Sequence, residues 1–423
     1  MKLSKSGRVL LAAAASLGTG LGLTSCSPSN TVDYVFVTAS KQNPGQISVY
    51  KVDSESGALT QLQESPYPSG GRNPVAAVTS PDGKYLYVAN KDDNNIVQFA
   101  IGTDGKLYPQ QTCNTPGSAP VALAINEAQS LLYAVDFFSP TTPGGPVYSS
   151  ANPGPGDLVV YPLDPSTSKL GTGGSCTPVT QTFVDATGAT QTATYVPIGF
   201  SPTGVNTLAN GNAVYVTAQN GLSTATTTVG EVYAFDVNSS GVLTVNSGSP
   251  YAAGTQPSAI ASDPTSRFLY ITDSRQNQLI TFTVLSSGIL NANQNGPVAT
   301  GTFPVAVTVD PRGSFIYVAN YNSASVSAYA IGTTGAPSAI AGASSYATGA
   351  GPSCVLVEPA LGRFVYTANF IDNTATGMQL NPNTGALTTN QNSPYLAAGQ
   401  PTCVAAIPHG NHSTQSTSPS AGS

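Results

Sequence analysis

The sequence predicts an all-β chain built as a ring of repeated four-stranded antiparallel sheets, and three observations predict it. A Tyr-centred motif occurs seven times at a period of about 50 residues, the range in which one repeat makes one small sheet. The composition favours strands and turns. Of 423 residues only 8% are charged, while 43 Gly and 33 Pro supply tight connections, and Val, Thr and Tyr outnumber the helix-favouring Lys, Glu and Arg. The last repeat is also only half written at the C-terminus, and the missing half stands at the N-terminus. Four short strands per period, repeated seven times and closed end to end, describe a seven-bladed β-propeller.

The elements follow in order within each period. The motif itself reads "YVFVTAS" at Tyr34, "YLYVANK" at Tyr85, "LLYAVDF" at Leu131 and "AVYVTAQN" at Ala213. It returns as "FLYITDS" at Phe268, "FIYVANY" at Phe315 and "FVYTANF" at Phe364. Its apolar residues are consecutive, as in Leu86, Tyr87 and Val88, so this strand is expected to be buried on both faces. A second strand comes next, as in "NNIVQFAIG" and "ASVSAYAIG", then a Gly turn and a short strand, as in "SGVLT" and "TGALT". A Pro opens the strand that begins the next period: "NPVAAVTSPDG", "APVALAINEAQ", "QPSAIASDPTS", "FPVAVTVDPRG", "GPSCVLVEPALG" and "QPTCVAAIPHG". The third-to-fourth junction is irregular, and "SPTGVN" at Ser201 fits it best.

The Pro strand at Gln400 to Ile407 has no Tyr strand after it, and the Tyr strand at Tyr34 has no Pro strand before it. Pairing the two completes one sheet and leaves no open edge between the first and last blades. The propeller is expected over 32–410, with insertions in the third repeat at about 140–156 and 171–196. Long segments on rigid scaffolds often carry function, so this Pro/Gly-rich insertion is expected to be a lid or a mobile decoration.

Residues 1–25 read as a signal segment, with Lys2, Lys5 and Arg8 ahead of the apolar "VLLAAAASLGTGLGL". The following "LTSC" resembles a bacterial lipobox, which implies lipid attachment at Cys26. Ser27 after it resembles the signal for sorting to an outer membrane. Residues 26–31 then form a short linker, 411–423 a disordered tail, and the folded part is expected outside the cytoplasm on the cell envelope. Four cysteines remain: Cys113, Cys176, Cys354 and Cys403. An oxidising compartment allows two disulfides among them in any of three pairings, with buried free thiols as the alternative.

The stretches "SPDGKYLYVAN" (Ser80 to Asn90), "DPRGSFIYVAN" (Asp310 to Asn320) and "VYAFDVNSSGVLT" (Val232 to Thr244) resemble the YVTN-type and lactonase-type seven-bladed propellers. That family includes 6-phosphogluconolactonase-like and muconate-lactonizing-like proteins. The resemblance covers nearly the whole chain after the signal segment. It implies a lactonase acting on a sugar lactone through a His, a Glu and an Arg on the ligand face. None of the Pro strands supplies that His. Only His409, in the "IPHG" turn of the opposite face, and His412, in the tail, exist.

Propeller geometry puts the loops before each Pro strand and after each Tyr strand on the ligand face. The polar residues there are Arg72, Asn90, Asp136, Asp273, Arg275, Asn320 and Asn369. Asp273 and Arg275 together, with Arg72, suit a carboxylate or carbonyl ligand. Asn and Asp in a recurring strand-end slot also suit turn capping, and the arginines also suit an ion pair between blades. "NKDDNN" at Asn90 lacks the spacing of a calcium loop and reads as a solvated turn. Tyr67, Tyr251 and Tyr395 in "SPY" suit an aromatic rim or packing between blades. No cofactor or metal is expected. The net charge of −6, with no basic cluster, speaks against nucleic acid. With the ligand-face His missing, the expected function is a monomeric, membrane-anchored scaffold. It would bind a small molecule or a protein at the mouth of the central channel. The alternative is a lactonase-type hydrolase.

Overall fold

Each inner strand carries a Pro at or near its start, and the residue before that Pro is held left-handed in most blades: Asn73, Ala119, Ser201, Phe303 and Gln400 have φ between 51° and 58°. The register against the second strand then slips by one residue just after the Pro, as between Pro74 and Ala76 or Pro304 and Ala306. This β-bulge turns the extra side chain out of the ladder toward the neighbouring blade. Where that residue carries a hydroxyl, it donates to the Pro carbonyl of the next inner strand. Thr203 reaches Pro257 at 3.0 Å, Ser258 reaches Pro304 at 2.7 Å, Ser353 reaches Pro401 at 3.0 Å, and Thr402 reaches Pro74 at 2.6 Å.

The computed structural model describes residues 30–410, apart from 129, 186, 220–228, 287 and 341–344. Seven sheets arise from the repeats. The inner strands are Pro401–Pro408 (blade 1), Pro74–Thr79, Ser118–Ile125, Pro202–Thr207, Pro257–Ser262, Pro304–Val309 and Pro352–Val357. Each lies beside the inner strands of its two neighbours, so the ring is closed. The irregular junction resolves as read, since Pro202–Thr207 contains the "SPTGVN" stretch. Blade 1 is made from both ends of the chain. Thr31–Ala39 pairs antiparallel with Pro401–Pro408, with Phe36 opposite Ala405 and Val37 opposite Val404.

The repeated Tyr has a defined task. Its ring is fully buried in the second strand, and its hydroxyl crosses to a backbone carbonyl in a turn of the next blade. Tyr215 donates to Gly288 at 2.7 Å, Tyr270 to Gly335 at 3.1 Å, Tyr317 to Gly385 at 2.9 Å and Tyr366 to Gly57 at 2.7 Å. Gly385 has φ +73°, and a Cβ there would stand 2.3 Å from Phe315, so the turn and the aromatic of the preceding blade require each other.

Two features go beyond the sequence reading. Five blades add a strand of two or three residues beside the outer strand, such as Tyr251–Ala252 and Tyr395–Leu396, and both pair with the third strand of their blade. These hold the "SPY" tyrosines, which pack against the blade cores. The second part of the third-repeat insertion, 171–196, is fastened on both sides. A hairpin, Gln181–Val184 with Thr190–Ala193, follows a loop fastened to blade 2 by the Cys113–Cys176 disulfide, whose Cα atoms are 5.4 Å apart. On the other side, Gln181 Nε2 donates to the Gly241 carbonyl of blade 4 at 2.9 Å. The insertion is a strap across three blades.

Candidate functional site

The ligand-face residues divide by what their side chains already hold. Asn90 is fully buried, with its amide donating to the Ser69 carbonyl and Asn95 Oδ1, while Ser69 Oγ donates back at 2.8 Å. Asn320 donates to Ser325 Oγ and to Ser327 Oγ at 2.9 Å, and Asn369 donates to Thr374 and Thr376. Asp273 accepts from the backbone N–H groups of Thr255, Gln256, Arg275 and Gln276. Asn90 and Asp273 thus tie the end of the second strand to the loop before the inner strand, and Asn320 and Asn369 tie it to the start of the third strand.

The two arginines differ. Arg72 is half-exposed and forms a two-pronged ion pair with Asp93 of its own blade, at 2.7 Å from both Nε and Nη2. The pair is thus within a blade. Arg275 touches Asp273 only through its main-chain N–H, and its exposed guanidinium forms no ion pair among the described residues. The "NKDDNN" stretch is used locally: Asp92 accepts from Asn73, and Asn94 Oδ1 accepts the Ala119 N–H of blade 3 at 2.8 Å. His409 lies away from this face, against Tyr34 with ring centres 4.6 Å apart. His412 and the lipid-attachment residue Cys26 lie outside the described residues.

Blade 3 is where the recurring slot changes chemistry. Asp136 lies near the end of the second strand, Leu131–Phe138, directly across the ladder from Asp157, which begins the third. Both are completely buried. The Gly117 N–H donates to Asp136 Oδ2 at 3.0 Å, and neither oxygen of Asp157 receives a hydrogen bond from a donor among the described residues. Burial pushes the Asp136 carboxyl up to about 7. Burial, and then the charge of Asp136, raises Asp157 well above the ordinary carboxylate range. Two facing carboxylates stay together in such a place by sharing a proton. Gly117 packs directly on them, since a Cβ there would stand 2.7 Å from Asp157 Oδ2.

A cleft of about 850 Å³ lies beside blade 3, and neither acid lines it. It lies between the strand-connecting loop 139–156, the strap hairpin and blade 4, and its aromatic lining includes Tyr148, Phe183, Tyr195, Tyr233 and Phe235. Lys91 of blade 2 sits over the Phe137 ring at 5.6 Å, next to the same strand end. Sequence reading marked Asp136 and the insertion but missed Asp157. The signal was present: the first residue of the third strand is Asn95, Gln278, Ser325 or Thr374 in capped blades, and only blade 3 sets a carboxylate against a carboxylate. A second buried acid pair, Asp33 with Glu358, was also missed. It lies toward the opposite face, where blade 7 meets blade 1.

Comparison with known proteins agrees with this architecture. The family model "Lactonase, 7-bladed beta-propeller" matches residues 45–140 and 231–357, more than half of the chain. A 6-phosphogluconolactonase of Xenorhabdus nematophila is 36% identical over 103 residues, which is 24% of this chain and 30% of that one. A 6-phosphogluconolactonase of Formosa agariphila is 31% identical over 81 residues, 19% of this chain and 22% of that one. The matched region thus spans less than a third of either relative. The solved structure of a periplasmic gluconolactonase from Pseudomonas aeruginosa superposes with a TM-score of 0.68 at 14% identity, covering 89% of this chain and 99% of that one. At that identity the likeness concerns the fold. The chain belongs to the seven-bladed lactonase β-propeller family.

Proposed function

We propose that this chain is a lactonase-type hydrolase acting on a sugar lactone or a similar ring ester on the ligand face at blade 3. The observation that carries this reading is the Asp136–Asp157 pair: a carboxyl poised near neutral pH faces a second acid where the capped blades have the neutral Asn95, Gln278, Ser325 or Thr374. Family membership, and the names of the relatives that match part of the chain, support the same choice.

Hydrolysis adds water to the lactone carbonyl and breaks the ring C–O bond. The ionised member of the pair takes the proton of the attacking water, and the protonated member gives its proton to the departing ring oxygen. The product is an open hydroxy acid, and the pair again holds one proton. Arg275, exposed on the same face, suits an anionic group on the substrate. Since Gly117 packs on the fully buried carboxylates, turnover requires that cover to open to substrate. The test is hydrolysis of a sugar δ-lactone by the purified chain. Turnover should fall about 100-fold or more in Asp136→Asn, the scale of losing a general base. Hydrolysis no faster than in buffer, or unchanged in that variant, ends this reading.

A second reading, a binding scaffold without chemistry, is favoured by the strand-end residues Asn90, Asp273, Asn320 and Asn369 being occupied by caps. Calorimetry showing that the same lactone binds without being hydrolysed selects it. We further infer export and lipid anchoring at Cys26. The N-terminal sequence supports this, as does the Cys113–Cys176 disulfide, a bond typical of oxidising compartments. Incorporation of labelled fatty acid that survives Cys26→Ala would exclude it.

A further inference from the structure

Just past the bulge, five of the seven inner strands carry Ala or Gly in the same register: Ala76, Ala122, Gly204, Ala259 and Ala306 in blades 2 to 6. The crowding between inner strands explains the size limit. A Cβ on Gly204 would already lie 3.1 Å from Ile260 of the next blade. The two remaining blades break the pattern together, with Cys354 in blade 7 and Cys403 in blade 1. Their sulfurs are 3.4 Å apart, and the Val404 N–H donates to Cys354 Sγ at 3.2 Å. This contact joins blade 7 to the C-terminal strand, whose only sheet partner within blade 1 is the N-terminal strand Thr31–Ala39.

We propose that Cys354 and Cys403 form a second disulfide that holds the C-terminal inner strand of blade 1 against blade 7. The chain already holds one disulfide, so the chemistry is available to it. Bond formation needs the sulfurs to close from 3.4 Å to about 2.05 Å, within reach of a side-chain rotation. The reaction is thiol–disulfide exchange with a small-molecule or protein disulfide as oxidant. The Cys403 thiolate attacks the oxidant, releasing one thiol and leaving a mixed disulfide. Cys354 loses its proton and attacks the Cys403 sulfur, releasing the second thiol. Two protons leave the protein thiols, and the two electrons end on the oxidant. The hydrogen bond from Cys354 holds the Cys403 thiol below its ordinary value, which suits Cys403 to the first attack.

The experiment uses the full chain purified without reductant, exposed to oxidised glutathione, unfolded in alkylating reagent, digested and read by mass spectrometry. A cross-linked peptide joining the Cys354 and Cys403 segments, lost on reduction, is the expected result. Full alkylation of both cysteines without reduction, or linkage of either to Cys113 or Cys176, overturns the proposal. Melting supplies a second reading with the double variant Cys354→Ala/Cys403→Ala, which restores the residue of blades 2, 3, 5 and 6. Reductant should lower the Tm of the original chain several degrees more than that of the variant. Equal shifts overturn the proposal as well.

Discussion

In blade 6 the amide of Asn320 donates across the sheet to Ser325 and Ser327, Tyr317 reaches the Gly385 carbonyl of the next blade, and Phe315 lies on the Gly385 turn. In blade 3 the same three places hold Asp136 facing Asp157, a Tyr133 hydroxyl without a carbonyl, and Leu131 near Gly241. The carbonyl that Tyr133 would use is already occupied by Gln181 of the strap. The regular blade devotes its polar groups to holding its neighbour. The irregular one has passed that task to the strap, and its strand-end slot is left with two acids. Departures from a repeat are therefore better pointers to chemistry than the residues the repeat conserves within itself.

The largest expected difference concerns the turns. Gly385→Ala should cost about 3 kcal/mol, since the methyl meets Phe315 in a left-handed turn. Gly188→Ala in the strap, also left-handed but with open space around it, should cost only about 1 kcal/mol. Urea unfolding of both variants checks the gap, and equal costs would show that the blade 7 turn yields freely.

Next comes the acid pair. A carboxyl whose folded pKa is raised contributes stability that is complete below its unfolded value near 4 and lost as pH rises through its folded value, here about 7 for Asp136. Asp157→Asn places a neutral amide opposite Asp136, at the place Asn95 holds opposite Asn90 in blade 2. It should stabilise the chain by about 1–3 kcal/mol at pH 8 and by much less at pH 4. A gain independent of pH would mean the two acids do not share a proton. The smallest contrast is in the tyrosines. Tyr317→Phe should cost about 1–2 kcal/mol by leaving the Gly385 carbonyl unpaired, and Tyr133→Phe under about 0.5 kcal/mol. Comparable losses would remove the role assigned to the strap.

Much of the candidate site was hidden from the sequence for a simple reason. Asp136 and Asp157 are 21 positions apart, with the loop 139–156 between them, and only ladder pairing brings them face to face. Arg72 and Arg275 were visible as rare charges, but whether each was paired depended on where Asp93 and Asp273 pointed.

The chain by itself determined the blade count, the strand order and the closure of its two ends. Those follow from local periodicity, turn chemistry and an unfinished repeat, all of which are short-range and repeat in register. Tertiary structure alone decided which cysteines meet, which carboxylates lose their water, and that the third-repeat insertion is strapped to its neighbours. Such outcomes depend on distances between blades and on burial, and neither quantity is written in the spacing of residues along a strand.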